Sequence, residues 1–263
     1  MTELQEWELF KQKLFAKSSI NLNDYKPAQM QRRITNFLHR NQATGYIDFF
    51  QKIDKDAKLY KSFVDYLTIN VTEFFRTPEK FSDLEAVVLP ELLAKRQRLN
   101  IWSAGCSIGA EPYSLAMSLE QLTPRAQHRI LATDLDAEIL GKAKLGIYST
   151  NELKNVTSDR LKRYFSVHND GYQVQDTIRS KVELARHNLL LDPFEDGFDL
   201  ILCRNVVIYF TEEAKNTLYR RFFKALRPGG VLFVGGTEAI LNFREMGFES
   251  YLPFFYRKPA IGS

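Results

Sequence analysis

The chain has 263 residues, 44% of them hydrophobic and 26% charged, with a net charge of +4. That suits one large or two modest domains of an ordinary soluble globule, and the basicity is too mild to indicate nucleic acid by itself. The only cysteines, Cys106 and Cys203, exclude a disulfide framework and lack metal-ligand spacing, and no run of roughly 18 apolar residues is present to span a bilayer.

The first residues, Met1-Thr2-Glu3-Leu4-Gln5-Glu6-Trp7, are acidic and lack an apolar centre. They do not read as a secretory signal, and a reduced, cytoplasmic setting is expected. Residues 1–76 read as a small all-helical domain. Leu4, Trp7, Phe10 and Leu14 recur at helical spacing. Asn21-Leu22-Asn23-Asp24 is a break. After Pro27 a second helix carries Met30, Ile34, Phe37 and Leu38 on one side and Arg32, Arg33, His39 and Arg40 on the other. Tyr46, Phe49, Phe50 and Ile53 mark a third helix; Leu59, Phe63 and Leu67 mark a fourth. The basic face is either a solvated surface or a docking face for an acidic protein.

Ile69-Asn70-Val71-Thr72-Glu73-Phe74-Phe75-Arg76-Thr77-Pro78 crowds Asn, Thr and Arg into an aromatic run. It reads as a helix end entering a linker, or as a functional segment. Residues 79–99 then form a helix covering a sheet.

Ile101-Trp102-Ser103-Ala104 is a buried strand, and it turns on Gly105, Ser107 and Gly109 into a helix beginning near Glu111-Pro112-Tyr113-Ser114. Strand, glycine turn, helix is how a doubly wound sheet holds a nucleotide-like ligand at its first crossover. The next strand, Arg129-Ile130-Leu131-Ala132-Thr133-Asp134, ends in an acid roughly 20 residues beyond the turn, where such folds hold ribose hydroxyls. Asp134 is alternatively a helix N-cap, a role that Asp136 fits better.

Residues 150–187 interrupt the alternation. Asn169-Asp170-Gly171 sits between alternating runs, a hairpin signal, and Val182-Glu183-Leu184-Ala185 continues the alternation. An antiparallel hairpin subdomain inserted at about 164–186 is expected, with a decorative edge hairpin as the plainer reading. His187-Asn188-Leu189-Leu190 returns to the sheet domain. Phe198-Asp199-Leu200-Ile201-Leu202-Cys203 is a central strand delivering Arg204-Asn205-Val206-Val207-Ile208-Tyr209-Phe210 at its carboxyl end. Thr211 caps a helix, Arg227-Pro228-Gly229-Gly230 turns into the strand from Val231, and a last strand lies near Phe254-Phe255-Tyr256.

Glu111 argues against a pyrophosphate and for a ligand bearing an ammonium or a sulfonium. S-adenosylmethionine has both and no phosphate; the helix N-terminus would then take its carboxylate and Asp134 its ribose. The late Pro-Gly-Gly also fits seven-stranded methyltransferases. After the fourth sheet strand there is no Asn/Asp-Pro-Pro-Tyr/Phe turn of the kind used on amide or base nitrogens; Cys203-Arg204-Asn205-Val206 stands there. A carboxylate acceptor is ionised near neutral pH and needs desolvation and alignment rather than a general base. Arg76 and Tyr209 would hold it by charge and hydrogen bond, unless they are a structural ion pair and a core aromatic.

Five stretches together resemble the chemotaxis receptor methyltransferases, the CheR family. They are residues 70–76, the 103–114 loop, Ala132-Thr133-Asp134-Leu135-Asp136, Asn188-Leu189-Leu190 and residues 203–210. The resemblance implies a seven-stranded Rossmann-like class I methyltransferase domain over residues 77–263, an N-terminal all-helical receptor-docking domain over 1–76, and the hairpin as the family's β-subdomain. It implies methyl transfer from S-adenosylmethionine to glutamate carboxylates on the cytoplasmic helices of chemoreceptors, giving glutamyl methyl esters and S-adenosylhomocysteine. Carried over by motif, Asn70, Thr72, Arg76, Gly105, Glu111, Asp134, Asn188, Leu189, Cys203, Arg204 and Asn205 would bind the cofactor. Arg76 and Tyr209 would flank the methyl group, and Arg33 and Arg40 would meet the receptor. No metal, nucleic acid or membrane insertion is expected, and the chain is read as a monomer. The competing reading is a non-catalytic S-adenosylmethionine-binding regulator or scaffold on the same fold. Asn36 and Phe37 stand where the family has more cationic character, and the hairpin carries no motif matched to binding a receptor tether.

Overall fold

The computed structural model of the protein describes residues 1–68 and 72–260. Two compact units emerge, Met1–Asn70 with Tyr209–Asn216, and Val71–Ile208 with Thr217–Ser263.

The first unit contains helices α1 (Glu3–Ser18), α2 (Pro27–Arg40), α3 (Tyr46–Lys55) and α4 (Ala57–Thr68). Thr2 and Gln5 close a capping box that satisfies two donors at the start of α1. Trp7, Phe10 and Leu14 are the buried stripe of that helix; Leu4, the fourth expected member, is exposed. Phe10, Phe49 and Phe63 are fully buried, with Phe10 5.8–6.3 Å from the rings of Tyr46, Phe49, Phe50 and Phe63. Each such side chain contributes about 1.5–3 kcal/mol by burial, which makes this aromatic cluster the unit's core. Tyr209–Asn216 belong here through backbone pairing. Lys26 N–H donates to the Tyr209 carbonyl and Thr211 N–H to the Asp24 carbonyl, both at 2.9 Å. Tyr25 and Phe210 form an antiparallel bridge with their rings edge-on at 5.1 Å.

The second unit opens with α5 (Pro78–Asp83), a π turn (Leu84–Val88) and α6 (Leu89–Lys95). Then come β1 (Asn100–Ala104), α7 (Ala110–Leu122), β2 (Arg129–Asp134), α8 (Ala137–Leu145), β3 (Ile147–Tyr148), α9 (Ser158–Tyr164), β4 (Phe165–His168) and β5 (Gly171–Val174). They are followed by α10 (Asp176–Arg179), β6 (Val182–Arg186), β7 (Phe198–Cys203), α11 (Glu212–Ala225), β8 (Leu226–Val234), β9 (Glu249–Leu252) and β10 (Phe255–Arg257). The main sheet runs β6-β2-β1-β7-β8-β10-β9. Its first five strands are parallel and β10 is antiparallel to both neighbours. This is the seven-stranded Rossmann-like sheet expected. Every residue of β7 is buried, as a parallel strand covered on both faces requires. The chain proceeds outward from β1 to β2 and β6, then resumes on the other side with β7 and β8. The strand order therefore reverses between β1 and β7, and the crevice at their carboxyl ends is where such sheets bind ligands.

Two expectations need correction. The hairpin over 164–186 is half right. Asn169–Gly171 does turn β4 into β5, but the small antiparallel sheet is β3-β5-β4 and begins at Ile147. Val182–Arg186 instead forms the edge of the main sheet, parallel to β2. An edge strand with one covered face shows the same two-residue alternation as a hairpin arm, so the pattern misdirects. The Pro228-Gly229-Gly230 segment is no turn between elements. It is an irregularity inside β8, where the pairing register with β7 shifts.

Candidate functional site

β1 ends in a turn that only a small residue can make. Gly105 has φ 80°, and a Cβ there would meet Val206 Cγ2 at 2.5 Å. The turn therefore lies directly against the loop that leaves β7. Gly105 and Cys106 both donate their N–H groups to the Thr133 carbonyl, at 2.8 and 2.9 Å. Ser107, itself at φ 50°, donates its N–H to Asp134 Oδ2 at 2.8 Å. Asp134 Oδ1 accepts from Asp136 N–H at 3.1 Å. Burial pushes the Asp134 carboxyl up, and the backbone donors partly restore it. Asp136 caps α8, accepting from the N–H groups of Glu138 and Ile139, so the capping role falls to it and not to Asp134. A carboxylate has about four acceptor positions, and the backbone donors from Ser107, Leu135 and Asp136 do not exhaust Asp134.

Glu111, in the first turn of α7, is held on both oxygens. Oε1 accepts from the Ser103 hydroxyl at 2.8 Å, and Oε2 lies 3.3 Å from Arg204 Nη1. The Arg204 side chain is 2% exposed and that of Glu111 13%. Removing either member of so buried a pair would leave a lone charge, at about 3–5 kcal/mol. Arg204 also donates to the Arg76 carbonyl at 2.8 Å and stacks on Phe233 at 4.5 Å from the ring centroid. Burial pulls its pKa down, with Glu111 opposing the shift. Its Nε is buried without a partner among the described residues. Arg76, Ser103, Glu111 and Arg204 thus form one connected group.

Asn188 and Leu189 lie in the loop after β6, joined to the site by His187 N–H donating to the Asp134 carbonyl at 2.9 Å. Asn188 Oδ1 accepts from Leu190 N–H at 3.0 Å, and Leu189 is buried. Cys203 is fully buried at the end of β7, and burial raises its thiol pKa and that of Cys106, keeping both neutral. Asn205 follows at φ 61°. Thr72 and Arg76 are half-buried. Asn70 falls outside the described residues.

Tyr209, Arg33 and Arg40 belong to the other unit. Arg33 donates to the Tyr66 carbonyl and lies over the Tyr66 ring at 4.6 Å, so much of its guanidinium is used internally. Arg32, His39 and Arg40 are exposed.

Two positioning residues were not foreseen. Glu238, buried just beyond β8, accepts from the N–H groups of Asn205 (2.6 Å), Gly235 (2.8 Å) and Val207 (2.9 Å) and so shapes the loop carrying Asn205. Arg221, on α11, donates to the carbonyls of Leu189 and Asp192 and stacks over Phe194 at 3.9 Å, clamping the Asn188 loop. Each carried a faint signal: an acid two residues past the Gly235-Gly236 pair at a strand end, and an arginine next to the inward Phe222.

These groups suit S-adenosylmethionine. Two carboxylates, Glu111 and Asp134, can accept from hydroxyl or ammonium donors, a left-handed turn admits close backbone approach, and one buried guanidinium N–H is unused. Among the described residues no cluster of potential ligands for a metal is found.

Residues 5–68 match the family described as CheR methyltransferase, all-alpha domain, and residues 70–251 match CheR methyltransferase, SAM binding domain. The chemotaxis protein methyltransferase of Listeria monocytogenes is 43% identical over 240 residues, covering 91% of this chain and 92% of its own length. Chemotaxis protein methyltransferase 1 of Pseudomonas aeruginosa is 36% identical over 249 residues, covering 90% and 91%. The chemotaxis protein methyltransferase of Escherichia coli is 33% identical over 238 residues, covering 86% and 82%.

Proposed function

The chain belongs to the CheR methyltransferase family, and on that premise we propose that it esterifies glutamate side chains on the cytoplasmic helices of chemoreceptors. It is an S-adenosylmethionine-dependent methyltransferase of chemotaxis. Bound in the site, the cofactor supplies an electrophilic methyl group on a positively charged sulfur. In this reading Asp134 accepts from the ribose hydroxyls through its unused lone pairs, and Glu111 faces the ammonium. Leu189 gives an apolar wall, with Asn70, Thr72, Gly105, Asn188, Cys203, Arg204 and Asn205 completing the surround.

Arg76 and Tyr209 orient the acceptor. A glutamate carboxylate is already ionised near neutral pH, so no residue has to remove a proton. The work left to the protein is to strip water from the carboxylate and align one oxygen with the methyl carbon. A guanidinium fork does this well because it matches a carboxylate in two places. The observation that supports this reading best is Arg204, which bonds both the Arg76 carbonyl and Glu111. It ties the turn that carries the acceptor-binding cation to the acid that would face the cofactor's ammonium. Residues 1–76 then serve as the receptor-docking domain, with Arg40 and its exposed neighbours meeting acidic receptor helices, and Arg33 as a more internal contributor. Residues 77–263 carry out the transfer. The enzyme acts in the cytoplasm as a monomer; no helix among the described residues is long and apolar enough to cross a membrane.

The test is transfer of labelled methyl groups from S-adenosylmethionine to receptor-bearing membranes. Label released as methanol by mild base is expected. Base-stable label would rule out an ester. Arg76→Ala should lower turnover more than cofactor affinity; the opposite pattern would make Arg76 a cofactor ligand only.

A further inference from the structure

The inserted sheet and its flanking segments build the seat of the Arg76 turn. Phe74 is fully buried, with its ring edge-on to Tyr148 at 4.7 Å and to Phe165 at 5.3 Å. Its N–H donates to the Glu152 carbonyl at 3.0 Å. Asn155 Nδ2 donates to Glu73 Oε1 at 3.0 Å and reaches the Phe74 carbonyl at 3.4 Å, while Lys154 pairs with Glu73. From α9, Arg160 lays its guanidinium over the Phe75 ring, 4.2 Å from the centroid, and donates to Glu85 and Gln121. Glu85 lies in the π turn, an irregular helical geometry found frequently at functional sites, and also accepts from the Ser118 hydroxyl.

These contacts act on a strained backbone. Phe75 has φ 49° and Thr77 φ 60°, left-handed values on both sides of Arg76. Bulky residues keep such angles only when their surroundings enforce them. From the main domain, Ser114 Oγ accepts the Phe75 N–H at 3.0 Å and Arg204 donates to the Arg76 carbonyl at 2.8 Å. From the insertion come the aromatic cage around Phe74, the Asn155 amide and the Arg160 cation.

We propose that Asn155 and Arg160 are positioning residues for Arg76, holding its turn beside Arg204 and Glu111 through Glu73, Phe74 and Phe75. The insertion is thereby a structural part of the transfer site, and a load placed on it is felt at Arg76. This rests on the acceptor-orienting role given to Arg76 above.

The experiment is a double-mutant cycle between Arg160→Ala and Arg76→Ala, read by turnover and by calorimetric affinity for S-adenosylhomocysteine, with amide exchange of residues 72–77 followed in parallel. Arg160→Ala is expected to lower kcat/KM about ten- to a hundredfold, as displacement of an orienting group does. It should cost little more in the Arg76→Ala background, and it should speed exchange at Phe75 while the β1 and β7 amides stay protected. Arg160→Lys, which keeps a cation over the ring, should recover part of the loss. Additive losses, or unchanged exchange at 72–77, overturn the proposal. Arg76→Ala without effect on turnover or affinity would instead refute the role of Arg76, and exchange alone would then judge the hold of the insertion. If Arg160→Ala fails to fold, the half-buried Asn155→Ala takes its place in the same cycle.

Discussion

Replacing Glu238 by glutamine tests how the loop bearing Asn205 is held. In the native protein Oε2 accepts from two backbone donors, Asn205 N–H at 2.6 Å and Gly235 N–H at 2.8 Å. Oε1 accepts from Val207 N–H at 2.9 Å. Both oxygens are therefore acceptors in a side chain that water hardly reaches. An amide must turn its NH2 toward one of these sites, donor against donor. At either position it orphans at least one N–H, and at the Oε2 position at least two. An orphaned buried donor costs about 1–3 kcal/mol, and the remaining bonds lose their charge assistance, so a destabilisation of about 2–4 kcal/mol is expected. At about 2–4 °C per kcal/mol for a chain of this size, the thermal midpoint should fall by roughly 5–15 °C. Circular dichroism on heating, with a urea titration as a second measure, gives the number. Calorimetry with S-adenosylhomocysteine should show weaker binding in the folded variant, because Asn205 loses its support. Burial pushes the Glu238 carboxyl up, while the backbone donors favour its charged form. A glutamine variant within about 0.5 kcal/mol of the parent, the range of an indifferent surface change, would refute the reasoning. It would mean that the native carboxyl is itself neutral, with an O–H already facing one of these donors.

Asp134→Ala removes the acceptor for the N–H groups of Ser107 and Asp136 as well as the proposed ribose contact, and should weaken cofactor binding by about 1–3 kcal/mol; equal affinity by calorimetry would place the ribose acid elsewhere. Arg221→Ala frees the carbonyls of Leu189 and Asp192 and should weaken S-adenosylhomocysteine binding by about 1–2 kcal/mol; lower stability with unchanged affinity would make the clamp purely architectural. His128 gives a pH prediction. Its Nδ1 accepts from Leu99 N–H at 3.1 Å and its Nε2 meets the Thr123 hydroxyl at 2.9 Å, an arrangement that needs the neutral ring. Burial, with Lys181 second, holds its pKa below the ordinary 6.5, so the unfolded chain takes up the proton first. The stability it contributes is complete above pH 6.5 and is lost as pH falls through the folded-state value. Urea midpoints between about pH 7.5 and 5 should decline less in His128→Gln than in the parent; parallel curves would exclude the ring as the cause.

The sequence by itself determined what depends on near neighbours along the chain. The turn from β1 into α7 was legible because a left-handed Gly105 and a start of α7 near Glu111 are local demands. Asp136 and Thr211 announced helix starts for the same reason, each side chain accepting from an N–H two or three residues on. Asp134 and the Arg204–Asn205 pair were expected at one edge of the sheet and lie there, because parallel strands deliver their next residues to it. Tertiary structure alone decided who partners whom. Nothing near Glu111 in the chain says that Arg204, 93 residues away, will share its burial. Alternation in Val182–Arg186 could not choose between a hairpin and an edge strand, since both cover one face; pairing with β2 chose. Glu238, Arg221 and Arg160 escaped notice because a buried or half-buried charge has no period. Its role is set by the backbone groups that long-range folding leaves in need of a donor or an acceptor, and those groups exist only once the sheet has assembled.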